Sequence, residues 1–248
     1  MTGTLINAVT VLIGSGLGTV LGGRLPARVR ETVIHGLGLM TIVIGMEMAF
    51  SSANVLILLG SILVGGMLGE WWGIEAGLNR LGSWLEARVS AATKDAQSTQ
   101  DALDARQRFI QGYVTASLVF CVGPLTIVGS IQDGLTGDYT LLAIKSMLDG
   151  FAALAFSASL GIGVAFAVIT ILVYQGGLSL AAAQAEAFLT EPMITEMTAA
   201  GGVLIMGLGI SSLLQLREIR VGNYLPALVI APGVVAVLTA LGLPVTPF

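Results

Sequence analysis

Between its few basic residues, this chain is almost unbroken apolar sequence, and that alternation constrains the fold more than any single motif. Arg24, Arg28 and Arg30 follow the first apolar run. Arg80, Arg88, Lys94, Arg106 and Arg108 separate the third from the fourth, and Arg217 and Arg220 precede the last. Only Lys145 lies inside a run. With 10% charged residues and a mean hydropathy of +0.90, the chain cannot clothe a soluble surface, for which about 25% charge is usual. Lipid is the solvent this composition fits.

A bilayer core of about 30 Å takes roughly 20 residues per helix. That ruler predicts spans near 4–23, 34–50, 54–75, 109–131, 140–158, 160–180, 195–215 and 222–243. One helix over 140–180 would be about 61 Å long, so the chain must turn back, and the Ser157–Gly163 stretch is where it can. Short loops rich in Lys and Arg stay on the cytoplasmic side. Eight spans place every basic cluster inside and both termini outside, whereas seven would put Arg217 and Arg220 on the wrong side. Asp133, Asp138, Glu186, Glu191 and Glu196 then fall in outer loops. The predicted fold is an all-α polytopic membrane protein, one transmembrane domain over 1–248. The first run has no basic leader and no cleavage signal and is read as a retained span.

Residues 74–108 form the one long polar stretch. Ile74, Leu78, Leu81, Leu85 and Val89 recur at helical spacing, opposite Arg80, Glu86 and Arg88. They predict an amphipathic helix on the inner surface or a continuation of the third span, with 91–107 loosely ordered. Gly14, Gly18 and Gly22 share a helix face, and Gly69, Gly73 and Gly77 repeat that spacing. Such faces let helices approach closely in lipid, within one subunit or across a homo-oligomer, and the homo-oligomer is the expected use. Residues 38–45 can be laid on 202–209, and 15–18 on 159–161 with a gap. Spans 1–3 would then be an inverted copy of spans 6–8, an arrangement common in transporters.

Charges inside a span cost about 2.5–3.5 kcal/mol on insertion scales. Asp149 lies near the middle of the fifth span with Lys145 one turn earlier, at ion-pair spacing. Either the pair locks helices together or it forms a site for a cation, proton or solute; coupling to protons or sodium would suit a carboxylate held out of water. Gly123 and Pro124 break the fourth span at its centre, where a proline frees a carbonyl, and Thr126 adds a hydroxyl. Asn223 ahead of Pro226 and Pro232, Gln175 beside Tyr174, and Gln132 with Asp133 and Asp138 are candidates for an entrance. Glu47 in the second span and Glu70 at the end of the third are weaker ones.

One histidine, His35, and one cysteine, Cys121, cannot supply the three or four ligands of a zinc site or a plausible catalytic dyad. No phosphate loop, dinucleotide fingerprint or nucleophile elbow occurs in context. Enzyme activity, a metal and a cofactor are therefore not expected. The net charge of −4 offers no basic stripe for nucleic acid. The expected partners are the bilayer and a small solute or ion.

Several motifs come in order along the chain: Leu5-Ile-Asn-Ala8, Leu25-Pro26, Phe109-Ile-Gln111, Phe120-Cys-Val-Gly-Pro124, Gly129-Ser-Ile-Gln-Asp133, Lys145-Ser-Met-Leu-Asp149, Ser159-Leu-Gly-Ile-Gly163, Tyr174-Gln-Gly176 and Asn223-Tyr-Leu-Pro-Ala227. Together they resemble the YdfK/YqgA-like family, domain of unknown function 554. The resemblance implies a bacterial cytoplasmic-membrane protein and supplies no activity. The residues themselves point to a secondary transporter or permeation protein, with an oligomeric structural or regulatory membrane protein as the alternative.

Overall fold

A computed structural model describes residues 1–23, 26–90, 99–121, 123–182, 184 and 189–245. Arg24, Lys94 and Glu186 lie outside the described residues. Every regular element described is helical. In order these are α1 (Thr2–Gly22), α2 (Ala27–Phe50), α3 (Val55–Trp72), α4 (Ile74–Ser90) and α5 (Thr99–Cys121). Then come α6 (Pro124–Thr136), α7 (Thr140–Leu160), α8 (Ala167–Leu180), α9 (Glu191–Leu208) and α10 (Ala227–Ala240). Short 3-10 turns, Ile162–Phe166 and Val221–Tyr224, lead into α8 and α10, and α9 runs on as a π turn, Gly209–Leu213.

Seven of these helices, some with their adjoining turns, are long and apolar enough to cross a bilayer. The eighth crossing is broken, because Ala105–Cys121 and Leu125–Thr136 meet at 63°. The packing of α1 on α7 decides that this pair crosses. Gly3 lies against Leu142, Gly14 against Gly150, Gly18 against Leu154 and Gly22 against Ala158, so the two helices run parallel. Three crossings must lie between parallel spans. With α2 and α3 supplying two, the bent α5–α6 pair supplies the third. The count of eight read from the charges therefore holds in the packing.

The α1–α7 contact also shows how the glycine face is used. A Cβ at Gly14, Gly18 or Gly22 would sit 2.2 Å from a carbonyl oxygen of α7, so this face is consumed inside one subunit and lends nothing to an oligomer. The second triplet fails for a different reason. Gly69 packs on Asn223, but Gly73 ends α3 in the left-handed region at φ 65°, and Gly77 meets nothing within 4 Å. The three do not share a helix face. The break at Gly73 also makes α4 a separate helix rather than a continuation of α3. Its Leu85 is buried with Phe109 and Tyr113 of α5, while Trp71, Trp72 and Trp84 remain exposed. Residues 99–107, expected to be loosely ordered, form the first turns of α5.

The reversal between the fifth and sixth spans occurs at Gly161, whose φ of 82° and ψ of −163° suit glycine alone. Helices α2 and α9 cross antiparallel, with Gly45 against Gly202 and Gly38 against Gly209. These are the four ends of the two matched segments, paired as a two-fold axis in the membrane plane would pair them. Helices α3 and α10 are antiparallel as well, with Gly65 against Ala227 and Gly69 against Asn223.

Glu196 is not in a loop. It lies in α9, fully buried, and clamps the turn between α2 and α3. Its carboxylate accepts from Ser52 Oγ at 2.8 Å, Ala53 N at 2.8 Å and Asn54 N at 2.9 Å. Glu196→Ala strands the buried Asn54 N–H and the half-buried Ser52 hydroxyl, a buried unpaired group costing about 1–3 kcal/mol, whereas exposed Ala53 can turn its N–H to solvent. Thermal unfolding in detergent should show a loss of about 2–4 kcal/mol, and a change within error would remove the clamp from this account.

Candidate functional site

Lys145 and Asp149 occupy one face of α7 one turn apart, and both are buried. Lys145 Nζ binds Asp149 Oδ2 directly. The same oxygen accepts from Asn7 Nδ2 of α1 at 3.0 Å. Asn7 gives its other amide hydrogen to Gln175 Oε1 of α8, also at 3.0 Å, and Gln175 Nε2 donates to Thr4 Oγ1 at 3.2 Å. Three helices are thus tied by one chain of hydrogen bonds containing a buried ion pair. Such a pair survives burial only when its remaining polar atoms are satisfied. In the chain around the pair one polar atom is left over, because Asn7 Oδ1 is buried with no partner among the described residues. It is a free acceptor on the same amide that bonds Asp149.

The helix break lies at the same depth. Gly129 of α6 packs on Leu142 of α7, and the Phe120 ring at the end of α5 lies 6.3 Å from that of Phe156. The break between α5, which ends at Cys121, and α6, which starts at Pro124, therefore falls between those levels, about where Asp149 lies at roughly 1.5 Å per residue. Phe120, Cys121, Ala8, Val11, Ala153 and Ile171 share the apolar core there.

The break does not expose the carbonyl that the sequence suggested. Pro124 lacks the N–H that would have reached Phe120 O, and Thr126 Oγ1 donates to that oxygen at 3.2 Å instead. Thr126 thus repairs the helix end rather than presenting its hydroxyl to a solute. Gly123 is extended at φ 179° and a Cβ there would meet nothing, so no close approach demands glycine. Pro124 begins α6 as its first residue, a position where its missing donor costs nothing.

The other expected residues divide. Gln175 joins the network. Asn223 does not; it packs on Gly69 near the end of α3, where its Oδ1 accepts from Glu75 N at 2.7 Å and its Nδ2 donates to Glu70 Oε2 at 2.5 Å. Glu70 also holds Arg220 at 2.6 Å. Pro226 precedes α10 and Pro232 lies within it. Glu47 is exposed on α2, three residues before that helix ends, and stands apart from the network. Asp133 is buried in the last turn of α6, bound by the Met1 ammonium at 3.0 Å and Gly3 N at 3.1 Å. Asp138 is taken up locally, where the Thr140 hydroxyl and N–H hold its carboxyl below the usual range. Gln132 Nε2 also donates to Asp138 Oδ2 at 2.8 Å.

Sequence gives only a faint sign of Asn7, a lone asparagine in an apolar run, and none of Thr4.

Comparison with known proteins gives a family and a membrane relative. The family model described as "Protein of unknown function (DUF554)" matches residues 2–236. The chain is 34% identical over 238 residues to "Uncharacterized protein YqgA" of Escherichia coli strain K12, covering 96% of this chain and 97% of that protein. It is 29% identical over 247 residues to "Uncharacterized membrane protein YdfK" of Bacillus subtilis strain 168, covering 98% and 99%. No solved structure matches it. The chain belongs to the DUF554 family and is a membrane protein.

Proposed function

We propose that this DUF554 member is a secondary transporter or permeation protein for a small solute or ion, rather than an enzyme. Lys145, Asp149, Asn7 and Gln175 would form its site in the bacterial cytoplasmic membrane, with both termini outside. One observation carries the reading: an ionisable pair is buried at the depth of a broken span, bonded to an asparagine whose other amide atom is an acceptor with no partner among the described residues. Polar groups at mid-membrane are costly and mark solute pathways, and interrupted helices line such sites in transporters. The orientation rests on the basic residues, which would face the cytoplasm.

Flux tests the site. Thermal-shift screening of purified protein against ions, amino acids, amines and organic acids finds the solute, because a ligand of the folded state raises its stability. Uptake of that solute into liposomes should fall about tenfold or more in Asp149→Asn, the ratio that loss of a charge-assisted hydrogen bond gives. Unchanged flux would show that the site has been placed wrongly. A structural or regulatory protein without transport is the second reading. It is favoured by the lysine and aspartate already satisfying each other.

A further inference from the structure

A second polar cavity lies on other helices, away from the ion pair. It encloses about 530 Å³ between α4, α5 and the segment after α9, within the 300–1,000 Å³ typical of small-molecule sites. Glu75 and Asn79 of α4, Gln111 and Thr115 of α5, and Ser211 and Ser212 of the π turn line it. The π turn shapes one wall, where Gln111 Nε2 donates to the Ser212 carbonyl. Ser211 Oγ donates to Ile219 O at 3.2 Å and accepts from Ile219 N at 3.1 Å. These bonds hold the wall in place without filling the cleft.

Two features point to an occupant. Thr115 lines this space and is 1% exposed, and its hydroxyl has no partner among the described residues. A helical threonine ordinarily gives its hydroxyl to its own preceding turn, so leaving it idle carries a cost with no structural return. Glu75 is the one ionisable side chain lining this cleft. Its carboxylate accepts from Gly222 N at 2.6 Å. Burial pushes that carboxyl up; the Gly222 N–H, Arg220 and a hydrogen bond from the Asn79 side chain pull it back, and Glu218 opposes them. Arg220 is already held by Glu70, so the cleft is short of positive charge. Among the described residues no group of three or more His, Cys, Asp or Glu could hold a metal. The neutral amides and hydroxyls suit a solute that both donates and accepts hydrogen bonds.

We propose that this cleft binds a small organic ammonium solute, with the ammonium on Glu75 and the solute's polar groups on Thr115, Gln111 and Ser212. The site concerns binding and stands whether or not the protein transports.

The test is isothermal titration of the full chain, purified in detergent, with ethanolamine and putrescine as probes and acetate as the anionic comparison. At least one ammonium probe should bind saturably and acetate should not. Glu75→Gln should weaken that binding about tenfold, the ratio expected for a lost charge-assisted hydrogen bond. Thr115→Val should weaken it severalfold. It deletes only an unpartnered hydroxyl at nearly equal volume, so it keeps the fold and carries the test even if Glu75→Gln does not. Binding that weakens in Glu75→Gln and Thr115→Val belongs to this cleft and not to the ion pair, which neither substitution touches. Absence of saturable ammonium binding, acetate binding of equal strength, or equal affinity in wild type and Thr115→Val would each overturn the proposal.

Discussion

Gly18→Leu should leave almost no folded protein, and the loss should occur in the monomer. A Cβ at this position would lie 2.2 Å from Leu154 O and 3.0 Å from Leu154 Cα. These are backbone atoms in the middle of a helix, so no rotamer change can relieve the clash. Overpacking alone costs about 1–3 kcal/mol. Here the remedy is to pull α1 off α7 along its length, which also breaks the Asn7 bonds to Asp149 and Gln175. We expect a loss of at least about 3 kcal/mol, seen as a collapsed yield of monodisperse protein in detergent. Gly16→Leu is the control, because a Cβ there meets nothing within 4 Å and should be tolerated. If Gly18→Leu gave a stable, well-folded monomer and lost only a larger assembly, the face would serve subunit contact after all.

That comparison also marks what sequence could convey. Spacing alone shows that Gly14, Gly18 and Gly22 share a face, but it cannot say which helix meets them, and the partner proved to be α7, more than a hundred residues away. The same periodicity misled at Gly69, Gly73 and Gly77, because a single left-handed residue ends the helix and destroys the register. Eight spans were legible because charge sidedness is additive along a chain. The ion pair was legible because its partners lie one helical turn apart. Asn7 was not, since nothing local connects residue 7 with residue 149. Thr126 was noticed for its hydroxyl, but its task depends on a bend whose angle no composition encodes. Glu196 read as a solvated end because acids near span boundaries usually are. The cleft at Glu75 was also invisible, as its wall is a π turn with no sequence signature and its other residues come from two separate helices.

Lys145→Met should be among the most damaging single changes, and adding Asp149→Leu to it should restore much of what was lost. Removing the lysine leaves a buried carboxylate with only the Asn7 amide, and breaking such a pair costs about 3–5 kcal/mol. Asp149→Leu alone strands the ammonium and the Asn7 donor at a similar cost. The double variant has neither charge, and apolar replacements of buried pairs are often neutral or stabilising by about 1–4 kcal/mol. Denaturation of all four proteins in one detergent therefore gives a large coupling energy between the sites. Strictly additive losses would mean that the two side chains do not depend on each other. Flux measured on the same four proteins separates the two functional readings. If the pair only locks α1, α7 and α8 together, the double variant should regain function as it regains stability. If the pair is where a solute or ion is handled, the double variant folds well and transports nothing, because the charges that made burial expensive are the ones that do the binding.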